Sequence, residues 1–153
     1  MRLDFRRAKE TDIPLTIQLQ NEAFYQDFIR YGACPSYQRT EEKMRDIILN
    51  HHDFLVFADD LPVGNLVVTL KEGNDCHINS LGIVPEYQGK GIGRAAMAFV
   101  ESAFPQCGLF TLDTPADKQG NVAFYTSCGY SITGYANAGE MKLVLLERRL
   151  VRQ

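Results

Sequence analysis

Apolar positions change period several times along the chain, and each change marks an element. Leu3 to Ala8 reads as a short strand. Thr11-Asp12-Ile13-Pro14 opens a helix, with an oxygen-bearing cap and proline in the first turn. Ile13, Ile17, Phe24 and Phe28 fall near one face of that helix, and Gly32 and Pro35 end it. Thr40 caps a second helix, with Glu41 and Glu42 at its positive end and Met44, Ile47 and Ile48 as its buried stripe. Phe54–Ala58 and Val63–Leu70 form an antiparallel hairpin about the turn Asp59-Asp60-Leu61-Pro62. A Glu72-Gly73-Asn74 turn leads into a strand from Cys76 to Val84. Gly91 to Ala103 is the clearest helix, with Ile92, Ala95, Ala96, Phe99, Val100 and Ala103 on one stripe. Leu109–Thr114 is a strand, Asn121–Cys128 a short helix, and Tyr130–Tyr135 and Met141–Leu146 are closing strands. A hairpin early, then strands alternating with helices, predicts an α/β (mixed α+β) class: a mixed sheet covered by helices.

Composition narrows the function classes. The 153 residues, 45% hydrophobic and 23% charged, predict one globular domain over 1–153. A net charge of −3, from 16 basic and 19 acidic residues, lacks the basic footprint of a nucleic-acid binder. No apolar run approaches the roughly 18 residues of a membrane span. Met1-Arg2-Leu3-Asp4-Phe5-Arg6-Arg7 has no signal-peptide core, so a cytoplasmic location is expected, with no membrane partner. Cys34, Cys76, Cys107 and Cys128 form no close pair and have no histidine cluster beside them, so reduced thiols and no metal are expected. His51-His52-Asp53 also fails as a metal site, because adjacent residues do not face the same way; it reads as a polar loop. Arg148-Arg149-Leu150-Val151-Arg152 reads as a solvated basic tail.

The chemistry concentrates in Leu81-Gly82-Ile83-Val84-Pro85-Glu86-Tyr87-Gln88-Gly89-Lys90-Gly91-Ile92-Gly93-Arg94. A strand ends, a glycine turn follows and a helix begins at once. Alternating glycines permit backbone conformations that a Cβ resists and let a ligand touch the main chain. The N–H groups of the turn and the helix dipole make an anion site suited to a pyrophosphate, with Lys90 and Arg94 at its rim. The same glycines also fit an ordinary tight strand-to-helix turn. Two phosphate motifs fail outright. Gly93 is followed by Arg94 and Ala95, so the hydroxyl of a P-loop is missing, and the Gly89, Gly91, Gly93 spacing is not that of a dinucleotide fingerprint.

Gln88-Gly89-Lys90-Gly91-Ile92-Gly93 resembles the Gln/Arg-x-x-Gly-x-Gly/Ala signature of the GNAT superfamily of N-acetyltransferases. The strand before it, Leu81-x-Ile83-x-Pro85-x-Tyr87, is similar to the family's, and Asn121-Val122-Ala123-Phe124-Tyr125 with Gly129-Tyr130 is similar to its second signature. Tyr31-Gly32-Ala33-Cys34-Pro35 resembles small bacterial members of unassigned substrate. The resemblance implies a GNAT-like fold, a largely antiparallel sheet of six to seven strands flanked by about four helices. It implies acetyl-CoA as acyl donor and attack by a primary amine in a ternary complex.

The resemblance also implies roles. Backbone groups of Leu81 and Ile83 pair with the pantetheine arm, and Gly82 marks a bulge that opens the slot. Gln88, Gly89, Lys90, Gly91, Ile92, Gly93 and Arg94 hold the pyrophosphate, and Asn121 bonds the pantetheine or phosphate region. Tyr125 is the general acid for the leaving thiolate, and a main-chain N–H beside the bulge is the oxyanion donor. His77 and Asn79 match the paired positions of the central strand that deprotonate the amine in some members. His77 has suitable intrinsic chemistry, whereas Asn79 orients a water or the substrate. Glu22, Asp27 and Asp113 are further carboxylates that could face the pocket. Phe24, Phe28 and Tyr31, with Tyr25, Tyr37 and Tyr135, line a partly apolar acceptor groove for a small-molecule amine or a protein N-terminus. A monomer or homodimer is expected. Two other readings stay open: a non-catalytic acyl-CoA sensor, against which the hydroxyl of Tyr125 counts, and an ATP- or GTP-binding protein, against which the missing P-loop hydroxyl counts.

Overall fold

The computed structural model describes residues 1–152. In chain order it contains β1 (Leu3–Arg7), a 3-10 turn (Glu10–Asp12), α1 (Ile13–Tyr31), α2 (Glu41–Asn50), β2 (His52–Ala58), β3 (Leu61–Lys71) and β4 (Asp75–Ile83). A second 3-10 turn (Pro85–Tyr87) leads to α3 (Ile92–Ala103), β5 (Leu109–Pro115), α4 (Gln119–Ser127), β6 (Ser131–Ala138) and β7 (Met141–Arg149). The strands form a seven-stranded, largely antiparallel sheet in the order β1-β2-β3-β4-β5-β7-β6. Among the described residues no helix is long and apolar enough to cross a membrane. The backbone falls into two compact units. One comprises Met1–Thr69 and Asn79–Phe99, the other Leu70–Ile78 and the described residues from Val100 onward.

In the first unit β1, β2 and β3 pair antiparallel, with Phe5 opposite Val56 and Leu55 opposite Asn65. The β2–β3 turn is tighter than the sequence reading: only Asp59 and Asp60 form it, both left-handed (φ 47 and 68). Two-residue hairpin turns require this conformation, and aspartate tolerates it. Asp59 Oδ1 accepts from the Arg2 N–H at 2.8 Å, and Asp60 pairs with Arg2 at 2.6 Å. Pro62 therefore lies inside β3, opposite Phe57, where the register shifts and a missing N–H is tolerated. Phe99 of α3 stacks on Phe5 at 4.5 Å and meets Phe54 edge-on at 5.0 Å. Met44 and Ile48 of α2 join Ile13, Leu19, Leu55, Val56 and Val63 in the core.

The buried face of α1 is Ile13, Thr16, Leu19 and Gln20, rotated from the expected apolar stripe. Two polar residues are buried because each has a partner. Thr16 Oγ1 donates to the Asp12 carbonyl at 2.8 Å, and Gln20 Nε2 donates to Asn65 Oδ1 at 2.7 Å. Asn65 Nδ2 in turn donates to Asp53 Oδ1 at 2.6 Å and to the Phe54 carbonyl at 3.0 Å, while Arg39 donates to Gln20 Oε1 at 3.2 Å. A line of aligned amides thus runs from a guanidinium to a fully buried carboxylate whose Oδ2 has no partner.

Burial pushes Asp53 from an aspartate value near 3.8 up to about 6, against the opposing pull of Asn65, Arg39 and Arg7; Asp12 adds to the rise. The folded chain therefore takes up this proton before the unfolded chain does. The stability linked to Asp53 is full below about pH 4 and is lost as pH rises through about 6, by about 3 kcal/mol. Asp53→Asn keeps the shape and removes the charge. It is expected to resist urea better than the parent at pH 8 and to lose most of that advantage near pH 4.5. An equal difference at both pH values would contradict this.

In the second unit the start of β4 runs parallel to β5, with Asp75 opposite Leu109 and His77 opposite Thr111. β7 pairs antiparallel with β5 and with β6. The basic end is not a solvated tail. Arg148 lies in β7, donates to the Cys128 carbonyl and pairs with Glu101 at 3.1 Å. Arg152 donates to the carbonyls of Cys107 (2.8 Å) and Glu101 (2.7 Å). Gly129 (φ 97) permits this packing, since a Cβ there would sit 3.0 Å from the Arg148 guanidinium.

Candidate active site

The turn after β4 is built by backbone and one side chain. The Val84 N–H still bonds the Val63 carbonyl at 2.9 Å, after which Pro85–Tyr87 makes one 3-10 turn. Gln88 Nε2 donates to the Ile83 carbonyl at 2.9 Å, so its side chain braces the turn against the end of β4. Gly89 (φ 75) and Gly91 (φ 84) are left-handed, and a Cβ at either would meet nothing within 4 Å. Glycine is needed there for the backbone angle, and the outer side of the turn is open. Gly93 lies inside α3, so only two of the three alternating glycines serve the left-handed turn. The Ala95 N–H returns to the Gly91 carbonyl at 3.1 Å, and no acidic residue occupies the first turn of α3. The first turn of α3 thus places no carboxylate of its own at the positive helix end, which favours an anion there. Lys90 and Arg94 are exposed beside it.

Gly82 has a packing role. A Cβ there would lie 2.7 Å from the Phe24 ring and 2.9 Å from the Ala23 methyl. Gly64, which no local motif marks, matches it from β3: its Cβ would sit 2.6 Å from the Gly82 carbonyl. Gly82 therefore lets α1 approach β4, with Phe24 covering it, and Gly64 lets the β4 backbone pass close to β3. Phe28 stacks on Tyr37 at 4.6 Å, with Tyr25 6.0 Å from Tyr37. Tyr31 lies under the Arg30 guanidinium at 5.3 Å. Gln38, left-handed at φ 56, is held by its N–H on Asn21 Oδ1 at 2.7 Å, which fixes Tyr37 beside α1.

His51 caps the C-terminus of α2, and its N–H bonds the Ile47 carbonyl at 2.9 Å. Its Nδ1 is 2.9 Å from Thr69 Oγ1, and Thr69 Oγ1 donates to Asn79 Oδ1 at 2.7 Å. The sequence carried no signal for this link, since three elements contribute one residue each. His51-His52-Asp53 is not a polar loop: His52 opens β2, with Nδ1 2.9 Å from the Arg7 guanidinium, and Asp53 is buried in the same strand.

In the second unit His77 is half-buried, with Nδ1 2.8 Å from Thr111 Oγ1. Burial lowers its pKa, Lys71 lowers it further, and Asp113 opposes them. Asn121 and Tyr125 both lie on α4, and Asn121 Nδ2 donates to Thr114 Oγ1 at 3.3 Å. The Tyr125 ring meets Phe124 at 5.0 Å and Tyr130 at 6.2 Å, both edge-on. Burial pushes the Tyr125 hydroxyl up to about 12. Tyr130 precedes β6 instead of opening it, and its hydroxyl is buried without a partner. Glu22 and Asp113 are exposed.

Comparison with known proteins identifies the family and the fold. A family model described as Acetyltransferase (GNAT) family matches residues 16–130. The chain is 29% identical over 140 residues to the uncharacterized protein YrkN of Bacillus subtilis (strain 168), covering 85% of this chain and 74% of that one. Its fold is similar to the PaiA N-acetyltransferase of Thermoplasma acidophilum, solved in complex with coenzyme A. That match has a TM-score of 0.82 and 17% identity over 98% of this chain and 100% of the other. It is similar too to an acetyltransferase of Thermus thermophilus, with a TM-score of 0.80 and 22% identity over 98% of each chain. The matched segment runs from α1 past α4 and includes both the glycine turn and the Asn121–Tyr130 stretch, so the chain belongs to the acetyltransferase (GNAT) family.

Proposed function

We propose that the chain transfers the acetyl group of acetyl-CoA to a primary amine, by direct attack within a ternary complex. The observation that carries this reading is the open, left-handed glycine turn before α3, whose first turn holds no acidic residue. Main-chain N–H groups from Gly89 to Arg94 bind the pyrophosphate there, with Lys90 and Arg94 adding charge. Gln88 acts through its bond to Ile83, holding the turn in shape. The β4 backbone from Leu81 to Ile83 pairs with the pantetheine arm, and Asn121 bonds the cofactor through its side-chain amide.

The chemistry needs an uncharged amine, a donor for the oxyanion and relief of charge on the leaving sulfur. His77 is neutral near pH 7 because burial lowers its pKa. With Thr111 engaging Nδ1, its Nε2 is the nitrogen that takes the amine proton. A β4 main-chain N–H beside Gly82 serves the oxyanion, preorganised by the strand. Tyr125 serves the sulfur. With its hydroxyl near 12 and a thiol near 8.5, complete proton transfer is uphill by about 5 kcal/mol. Tyr125 therefore works as a hydrogen-bond donor to the developing thiolate. The acceptor is a small-molecule amine or a protein N-terminus, and no metal takes part.

Calorimetry with acetyl-CoA, followed by a thiol-release screen over primary amines, tests the reading. Saturable binding and amine-dependent release that survive a chelator are expected. Binding with no release over the whole panel would favour the sensor reading, and no binding would overturn acetyl transfer.

A further inference from the structure

We propose that Asn79, held by Thr69 and His51, selects acceptors that carry an oxygen atom beside the reactive amine, as the α-amine of an amino-acid amide or a peptide does, over amines flanked only by further ammonium groups. The inference rests on the acetyl-transfer reading and names the substrate class of that site.

Thr69 has one hydroxyl proton, and Asn79 Oδ1 receives it at 2.7 Å. The contact between Thr69 Oγ1 and His51 Nδ1 at 2.9 Å must then use a hydrogen on the imidazole. His51 is itself fixed by its place at the end of α2, where its N–H bonds the Ile47 carbonyl. The side-chain carbonyl of Asn79 is thereby turned toward Thr69.

What Asn79 shows to the exposed side of β4 is its amide nitrogen, two N–H donors without a lone pair. A ligand atom meeting it must accept: a carbonyl, carboxylate or hydroxyl oxygen bonds there, and an ammonium group, which only donates, is turned away. Asn79 precedes Leu81 by two residues, about 7 Å along the strand, so it lies next to the stretch assigned to the cofactor arm. An acceptor whose amine reaches the thioester brings its neighbouring atoms past Asn79.

The test uses the full chain with acetyl-CoA and two matched acceptors, alaninamide and 1,2-diaminopropane, compared by thiol release per free-base amine. The parent is expected to prefer alaninamide. Asn79→Leu should lower the alaninamide-to-diamine ratio of kcat/KM about fivefold to tenfold, the worth of one neutral hydrogen bond. Thr69→Val should act in the same direction and Thr69→Ser should restore the parent profile, which a merely structural role for Thr69 would not separate by acceptor. Equal losses for both acceptors, or no turnover of alaninamide while acetyl-CoA binds normally, would overturn the selection. Loss of acetyl-CoA binding by the parent would instead overturn the acetyl-transfer reading, and calorimetry on the same sample distinguishes the two.

Discussion

Gly91→Val is expected to weaken acetyl-CoA binding at least about a hundredfold while the chain remains folded. Gly91 has φ 84, and the added side chain would meet nothing in the protein within 4 Å. The fold therefore bears only the strain of a left-handed residue with a Cβ, about 1–2 kcal/mol. The ligand loses more. The methyl groups fill the approach to the N–H groups at the start of α3, where each charge-assisted bond contributes about 1.5–3 kcal/mol. Gly73→Val is the control, because Gly73 (φ 77) has the same backbone strain and the same open surroundings in the β3–β4 turn. Both variants should melt a few degrees below the parent, and only Gly91→Val should fail in calorimetry. Parent-like affinity in Gly91→Val would remove the pyrophosphate from this turn.

Tyr125→Phe is expected to cut turnover about tenfold to a hundredfold and leave acetyl-CoA affinity nearly unchanged. The substitution keeps the ring that packs on Phe124 and Tyr130 and deletes only the donor. A hydrogen bond to a charged partner is worth about 1.5–3 kcal/mol, which sets that range. Since burial holds the hydroxyl at about 12, it stays protonated through pH 10, and no alkaline loss of activity below that belongs to Tyr125. The measurement is single-turnover thiol release, so that product departure does not mask chemistry. Equal rates for parent and variant across the pH range would leave the hydroxyl a structural group.

Short-range signals carried well from sequence to structure. Pro14 in the first turn of α1 and the Thr40 oxygen mark helix starts that the structure keeps, and Thr40 Oγ1 accepts from the Lys43 N–H at 3.2 Å. The apolar stripe of α3 and the glycine turn before it were legible for the same reason: helix period and left-handed backbone depend on residues within a few positions of one another. The strand order alternating with helices led to the right fold class, a seven-stranded sheet with four helices.

Other features needed the register of distant segments. Nothing local showed that Gln20 would be buried, because its partner Asn65 lies 45 positions away and Asn65 reaches Asp53 from the next strand. Gly64 and Gly82 looked unrelated until β3 and β4 lay side by side, where a Cβ at Gly64 would strike the Gly82 carbonyl at 2.6 Å. The basic end read as a tail because charge alone predicts solvation, yet backbone carbonyls at Cys128 and Cys107 hold Arg148 and Arg152. His51, Thr69 and Asn79 belong to three elements and share no motif. Periodicity, capping and glycine conformation are local properties that the amino-acid order determines by itself. Which buried polar group meets which partner is decided only when strand register brings the two within hydrogen-bonding distance, because burial makes an unpaired polar group costly and packing alone selects its partner.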